Sequence, residues 1–341
     1  MHRITQLIRG VNKSHNGLGA LIAMNLIAAK SKRCLLNVAP AGCGKSTATD
    51  TVGMLLKDRA KKYTSLTMAG LLRLKDELTE YTGHVIIDDL GAEKSEWTRT
   101  ATIATLAHLV HTHNIYRITQ TSIIQINDFN GSAALNIQPV MMQSLVRDDD
   151  WVAVVRDKVI RQYHLLRPAK PHKGLPNVTF DWGTPLEHVD EPKRTGALWY
   201  QLIAIALSQW SYGRCLEHLP MMLRATAALD RRDKCNSEDY RLLAKLMKPM
   251  QLERYIIESY GFEEGRTFNN NVYCLLVELA TWGNPTLETI AEDYKVHPKT
   301  VERLAATAPE WCAIQPDSPK RLIPTEQTQN IFKAIGVNEK W

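Results

Sequence analysis

The residues best equipped for chemistry in this 341-residue chain form one run, Ala39-Pro40-Ala41-Gly42-Cys43-Gly44-Lys45-Ser46, followed by Thr47. The spacing follows G-x-x-x-x-G-K-[ST], a loop that wraps phosphate groups, with Ala39 in place of the first glycine. Gly42 and Gly44 carry no Cβ, so the backbone can turn its N–H groups inward around an anion. The helix expected over 46–56 adds unpaired N–H groups and the positive end of its dipole. Lys45 is expected to reach the β- and γ-phosphates of a triphosphate, and Ser46 to offer its hydroxyl to Mg²⁺. Pro40, Ala41, Gly42, Cys43, Gly44, Lys45, Ser46 and Thr47 are therefore the expected nucleotide-binding residues.

A second run supplies the acid that this chemistry needs. His84-Val85-Ile86-Ile87-Asp88-Asp89-Leu90-Gly91 is an apolar strand ending in two carboxylates. A buried strand has little use for acid at its end unless a cation sits there. Asp88 is expected to hold Mg²⁺ through water, beside the Ser46 hydroxyl, and Asp89 to polarise an attacking water. A polar side chain at the end of a central strand should also face the γ-phosphate. Asn127 and Gln120 both qualify, and the pattern does not choose between them.

The surrounding elements must hold these groups together. A helical face recurs over 18–29, and strands are expected at 33–38, 62–67 and 85–88, with one or two more within 115–126. Helices are expected at 68–78, 98–110 and 139–145, and a fifth strand at 159–166. Strands that alternate with helices and read as nearly continuous apolar runs argue for a parallel sheet covered on both faces. Residues 167–194, rich in proline, glycine and charge, read as a linker or an extended excursion. Helical patterns follow at 198–210, 215–229 and 239–247.

Composition narrows the class. Hydrophobic residues make up 44% of the chain, ordinary for a soluble protein, and no stretch has the apolar length of a membrane span. The N-terminus does not read as a signal peptide. The six cysteines form no C-x-x-C pair, which favours a reducing compartment over a zinc site. His108, His111 and His113 lack the carboxylates or cysteines of a metal set. The net charge of +6 is compatible with a nucleic-acid partner without requiring one.

Near the C-terminus, 287–294 reads as a helix, 295–298 as a turn and 299–305 as a second helix, with the small Ala291 at the crossing. That is a helix-turn-helix pattern. A hairpin expected from 311–314 and 322–323 would form a wing beside it. Lys299, Thr300 and Arg303 would then face DNA.

Taken together, the chain resembles the AAA+ ATPases of nucleic-acid metabolism. Ala39–Ser46 matches their Walker A element and 85–89 their Walker B. The Asp-Asp-Leu-Gly ending resembles the helicase-loader and transposition-ATPase branch. Tyr212-Gly213-Arg214-Cys215-Leu216-Glu217 resembles a sensor 2 helix within a lid nearer to minichromosome-maintenance ATPases. Many relatives carry glutamate where Asp89 stands.

The resemblance implies an α/β fold of the P-loop NTPase type, a three-layer parallel sheet followed by a helical lid and a small winged-helix domain. It implies an N-terminal helical extension over 1–30, a nucleotide-binding core over 31–170, a linker over 171–194, a lid over 195–249 and a winged helix over 250–341. ATP and Mg²⁺ are the implied ligands, and ATP hydrolysis the implied activity. A homo-oligomeric ring or arc, expected to be hexameric, would place Arg147 of one subunit against its neighbour's γ-phosphate, with Arg156 and Arg161 as alternatives. Arg214 would act in cis from the lid. The implied role is a cytoplasmic or nucleoid-associated motor or loader on DNA (helicase, replication initiation or mobile-element processing), working alone or with a helicase or transposase partner. A nucleotide-switched regulator of a protein partner is the alternative.

Overall fold

The computed structural model describes residues 1–89, 96–118, 123–149, 151, 155–168, 174–259, 266–337, 339 and 341. The chain opens with α1 (Arg3–Asn12) and α2 (Leu18–Lys30). It continues through β1 (Cys34–Val38), α3 (Lys45–Leu56), β2 (Ala60–Ser65), α4 (Met68–Arg73), α5 (Lys75–Leu78), β3 (His84–Asp89) and α6 (Glu96–Thr112). Then come β4 (Ile115–Ile118), β5 (Ile123–Ile126), β6 (Ser132–Ile137), α7 (Pro139–Leu145) and β7 (Val159–Tyr163). The second half carries α8 (Ala197–Ala206), α9 (Tyr212–Leu229), α10 (Ser237–Met247), α11 (Glu253–Ile256), β8 (Ile257–Ser259), β9 (Arg266–Phe268) and α12 (Asn270–Trp282). It ends with α13 (Leu287–Tyr294), α14 (Pro298–Ala306), β10 (Cys312–Gln315), β11 (Arg321–Pro324) and α15 (Glu326–Ile335).

Five strands form one parallel sheet in the order β2-β3-β6-β1-β7. Every residue of β1, β6 and β7 is buried, as expected where helices cover both faces. β2 sits on an edge and carries Lys61 and Lys62, charges that keep an open edge from pairing with another chain. The strands alternate between two apolar layers. Leu35, Ala134 and Ile160 face α1, α2, α3 and α8 to α10. Cys34, Leu36, Val38, Ala133, Leu135, Ile137 and Val159 face α6, α7 and the C-terminal helices. Helix α2 is apolar on nearly every side and buried throughout except at Ala20, as a helix held between sheet and bundle must be.

The sheet departs from the sequence reading at one strand. The segment 115–126 does not join the parallel sheet; β4 and β5 pair antiparallel as a separate hairpin. The fourth sheet strand is instead β6, Ser-Ala-Ala-Leu-Asn-Ile, between β1 and β3. Its small residues have weak strand propensity, but they fit a layer squeezed between helices on both faces.

The C-terminal half packs directly on the carboxyl end of the sheet. The buried Tyr273 hydroxyl on α12 donates to Val38 O at 2.8 Å and to His164 O at 2.9 Å, at the ends of β1 and β7. Arg161 on β7 is fully buried, and its Nε donates to Glu253 Oε2 at 2.7 Å. Among the described residues, no helix is long and apolar enough to cross a membrane.

Candidate functional site

The candidate site lies where the carboxyl ends of the parallel strands open, the usual place for a ligand on such a sheet. β1 leads into the glycine loop, where Gly42 and Gly44 both have φ of +77°. A side chain would be strained at either position. At Gly44 an added Cβ would also lie 2.7 Å from Leu18. Helix α3 starts at Lys45 with no side-chain cap, so its first-turn N–H groups remain available to a ligand. Loop residues 41–47, Thr64, Asp88, Asp89, Asn136, Gln138 and Pro168 line a cavity of about 580 Å³.

Lys45 is folded back on its own loop. Its Nζ donates to Ala39 O at 2.6 Å and to Pro40 O at 2.8 Å. Burial holds the ammonium below its ordinary pKa, against the opposing pull of Cys43 and of the Asp89 and Asp88 carboxylates. An incoming polyanion would supply the charge that this lysine lacks in the loop.

Asp88 is the best-supported acid in the site. It accepts from Asn136 Nδ2 at 2.8 Å and lies 3.3 Å from Lys62 Nζ. Burial opposes its ionisation, but hydrogen bonds from Ser46 and Asn136 and the Lys62 charge outweigh that and hold its pKa below the ordinary value. Asp89, one residue on, is exposed at the cavity wall. Ser46 and Asp88 thus offer a hydroxyl and an ionised carboxylate in contact. That hard-oxygen pair fits Mg²⁺, which keeps several waters and takes its remaining ligands from phosphate. Among the described residues, no group of three or more His, Cys, Asp or Glu forms a metal site, and the three histidines at 108, 111 and 113 do not converge on one. His113 Nδ1 pairs with Phe129 O at 2.8 Å.

Asn136 is the residue that the sequence reading missed. It sits on β6, between the loop strand and the acidic strand, and touches both sides. Its Nδ2 donates to Asp88 and, at 3.0 Å, to Thr49 Oγ1 on α3. Its Oδ1 accepts from Asn37 Nδ2 at 3.0 Å, and Asn37 in turn exchanges hydrogen bonds with Asn25 of α2 at 3.0 and 3.1 Å. Three buried amides therefore run from the core to the carboxylate. The sequence signal is an asparagine within a short, small-residue strand that lacks the usual strand marks.

Asn127 lies elsewhere. Its carbonyl accepts from Glu80 N and its Oδ1 from Gln125 Nε2 at 3.1 Å, which places it near the start of β3, at the rim opposite Asp88. Gln120 falls outside the described residues. Arg214 is also far from the loop. It donates to Glu217 Oε2 at 2.5 Å and to His111 Nε2 at 3.1 Å, and Arg33 donates to Glu217 O at 3.4 Å. Arg33 precedes β1, whereas the loop follows it, so the strand's length of roughly 16 Å separates Arg214 from the loop. Arg147 is exposed, with no ion pair among the described residues. Arg161, buried on Glu253, cannot reach a neighbouring molecule, and Arg156 leans on the same carboxylate at 3.4 Å.

The two C-terminal helices form as expected. α13 and α14 are joined through Lys295, at φ +52°, with Ala291 buried at the crossing, and β10 pairs with β11 beside them. Lys299, Thr300 and Arg303 are exposed on one side of α14. Comparison with known proteins finds no family model and no curated sequence that matches this chain.

Proposed function

We propose that this chain is an ATP-hydrolysing AAA+ ATPase that acts on DNA as a motor or loader. The observation that carries the reading is the triple juxtaposition of glycine loop, Asp88 and Asn136. The loop strand β1 and the acid strand β3 are separated by one strand, and that strand presents a polar side chain to the acid. This arrangement suits a nucleoside triphosphate, whose phosphates need donors on one side and a metal-holding acid on the other.

In this reading the N–H groups of residues 42–47 and the Lys45 ammonium bind the phosphates. Ser46 and Asp88 would hold Mg²⁺, which would neutralise phosphate charge. We assign to Asp89 the orientation of the water that attacks the terminal phosphorus, its carboxylate accepting the water's proton. Asn136 holds Asp88 in place, its two amide N–H groups being committed to Asp88 and Thr49. Arg147, exposed, is available to a neighbouring subunit of a ring or arc, where a guanidinium would stabilise the transferring phosphoryl group. Lys299, Thr300 and Arg303 would meet DNA phosphates with the β10–β11 hairpin as a wing.

Binding of a fluorescent ATP analogue and release of phosphate, each measured with and without Mg²⁺ and duplex or forked DNA, test the proposal. The wild type should bind and turn over ATP faster with DNA, and Lys45→Ala should lose both binding and turnover. Unchanged nucleotide affinity in Lys45→Ala would end the nucleotide reading. ATP turnover indifferent to every DNA would end the DNA reading and favour a switch for a protein partner.

A further inference from the structure

One arginine is shared by the glycine loop and the C-terminal helices. Arg167, just beyond β7, donates from Nη1 to Ala41 O at 3.1 Å. Its Nε and Nη2 donate to Glu278 Oε1 on α12 at 3.1 and 2.8 Å. The guanidinium lies 3.6 Å from Asp293 and 5.1 Å from the Tyr294 ring centroid, both on α13. Its backbone N–H donates to Thr281 Oγ1 on α12 at 2.9 Å.

Two features set this apart from a surface ion pair. Glu278 is 0% exposed and its Oε2 has no hydrogen-bond partner, so Arg167 is its principal neutralising charge. A buried carboxylate deprived of its cation is strongly unfavourable unless its surroundings shift. On the other side, the loop peptide is in close contact with the same group. A Cβ added at Gly42 would lie 3.0 Å from Arg167 Nη1. The loop cannot rearrange around a bound anion without the guanidinium meeting the change, and the guanidinium cannot move without Glu278 and α12 meeting it.

We infer that Arg167 is a positioning residue that ties the conformation of the glycine loop to the seating of α12 and α13, so that polyphosphate binding at the loop alters the C-terminal helix pair. The inference rests on the nucleotide reading above and adds its regulation. A bound polyphosphate competes with Glu278 for the guanidinium, and whichever anion wins sets where α12 and α13 rest. Coupling of this kind is reciprocal: whatever binds α13 and α14 selectively in one seating changes nucleotide affinity by the same factor.

Hydrogen exchange on the full chain, with and without Mg²⁺ and a slowly hydrolysed ATP analogue, tests it. In the wild type, nucleotide should slow exchange in 39–47 and change exchange in 270–294 by at least about fivefold, the lower end of ordinary coupling. Glu278→Gln, which keeps the shape and removes the charge, should retain the response in 39–47 and lose that in 270–294. Arg167→Lys, which keeps the charge and loses the fork, should show a smaller response in 270–294 relative to that in 39–47. A wild type in which nucleotide protects the loop and leaves 270–294 unaltered overturns the inference while sparing the nucleotide reading. Full transmission in both variants also overturns it. No nucleotide binding by the wild type overturns both.

Discussion

The Asn136 amide donates to Asp88 at 2.8 Å while its carbonyl oxygen accepts from Asn37 at 3.0 Å. The acid that would hold a metal is therefore oriented from inside the sheet by Asn136, as well as by Ser46 and Lys62 at the cavity. Asn136→Ala removes the donor and leaves Asp88 to Lys62 and Ser46. We expect ATP affinity within a few-fold of the wild type and turnover lower by on the order of 100-fold, the usual effect of losing one preorganised donor. Steady-state phosphate release beside equilibrium nucleotide binding separates the two effects, and a variant with normal turnover contradicts the role.

The amide chain behind it has its own consequence. Asn37→Leu takes the donor away from Asn25 Oδ1 and Asn136 Oδ1 in the core, while Asn25 still donates to Leu21 O and Asn136 to Thr49 and Asp88. A loss of about 1–3 kcal/mol in unfolding free energy is expected, the cost of stranding buried polar groups. Urea unfolding reads it directly, and an unaltered midpoint would show that water or a shifted side chain satisfies the amides.

Arg161 and Glu253 form a buried, doubly hydrogen-bonded ion pair, with Tyr163 donating to the same carboxylate at 2.9 Å. Glu253→Ala should destabilise the fold by about 3–5 kcal/mol, because it strands a buried guanidinium. Within the proposed ring or arc, mixing the Arg161→Met chain with the wild type would separate structure from catalysis. ATP turnover of the folded mixture should follow the wild-type share, as it would not if Arg161 acted across a subunit boundary.

Three buried histidines should make the fold acid-sensitive. Burial pushes the pKa of His84 down to about 3 and, with nearby positive charge, those of His164 and His218 down to about 4. Below pH 6.5 the unfolded chain binds protons that the folded one refuses, so stability falls as pH drops from about 6.5 toward 4. For His84 alone, the loss between pH 6.5 and pH 5 is roughly 2 kcal/mol. Denaturant midpoints across this range should drop steeply, and His84→Gln should flatten the slope. Asp88 acts only further down: its depressed pKa contributes stability above its unfolded value, lost as pH falls through the folded one. A flat midpoint from pH 7 to pH 5 would contradict the buried, neutral state of these rings.

On the outer surface, Lys299→Ala and Arg303→Ala should each weaken duplex DNA binding across all sequences. Each should lower the slope of log affinity against log salt by about 1, as expected when one phosphate contact is lost. Fluorescence anisotropy at several salt concentrations measures this, and unchanged slopes would point DNA, or another partner, to a different face.

The parallel sheet under helices and the small C-terminal hairpin were legible because continuous apolar strands and a turn flanked by helical periods leave marks in sequence. That the glycine loop and the paired aspartates meet at one cavity was legible because each closes an apolar strand of the same parallel sheet. β6 was not, since Ser-Ala-Ala-Leu-Asn-Ile has one β-branched residue, Ile137, and no aromatic one to announce a strand. Losing that strand misplaced the polar residue sought beside Asp88, giving Asn127 on a hairpin outside the sheet. The position of Arg214 was illegible for another reason: local pattern says which face of a helix is apolar, and nothing about which end of a sheet that helix meets. Arg167 carried no motif at all, because its partners lie more than a hundred residues away.

The inward position of α2 bears on any shortened form of the protein. Its thirteen residues serve as the filling between two greasy walls, one made by the strands and one by α8 to α10. A version begun at residue 31 would peel these walls open and is expected to precipitate or recruit foreign hydrophobic chains, so the opening thirty residues must travel with whatever piece is expressed.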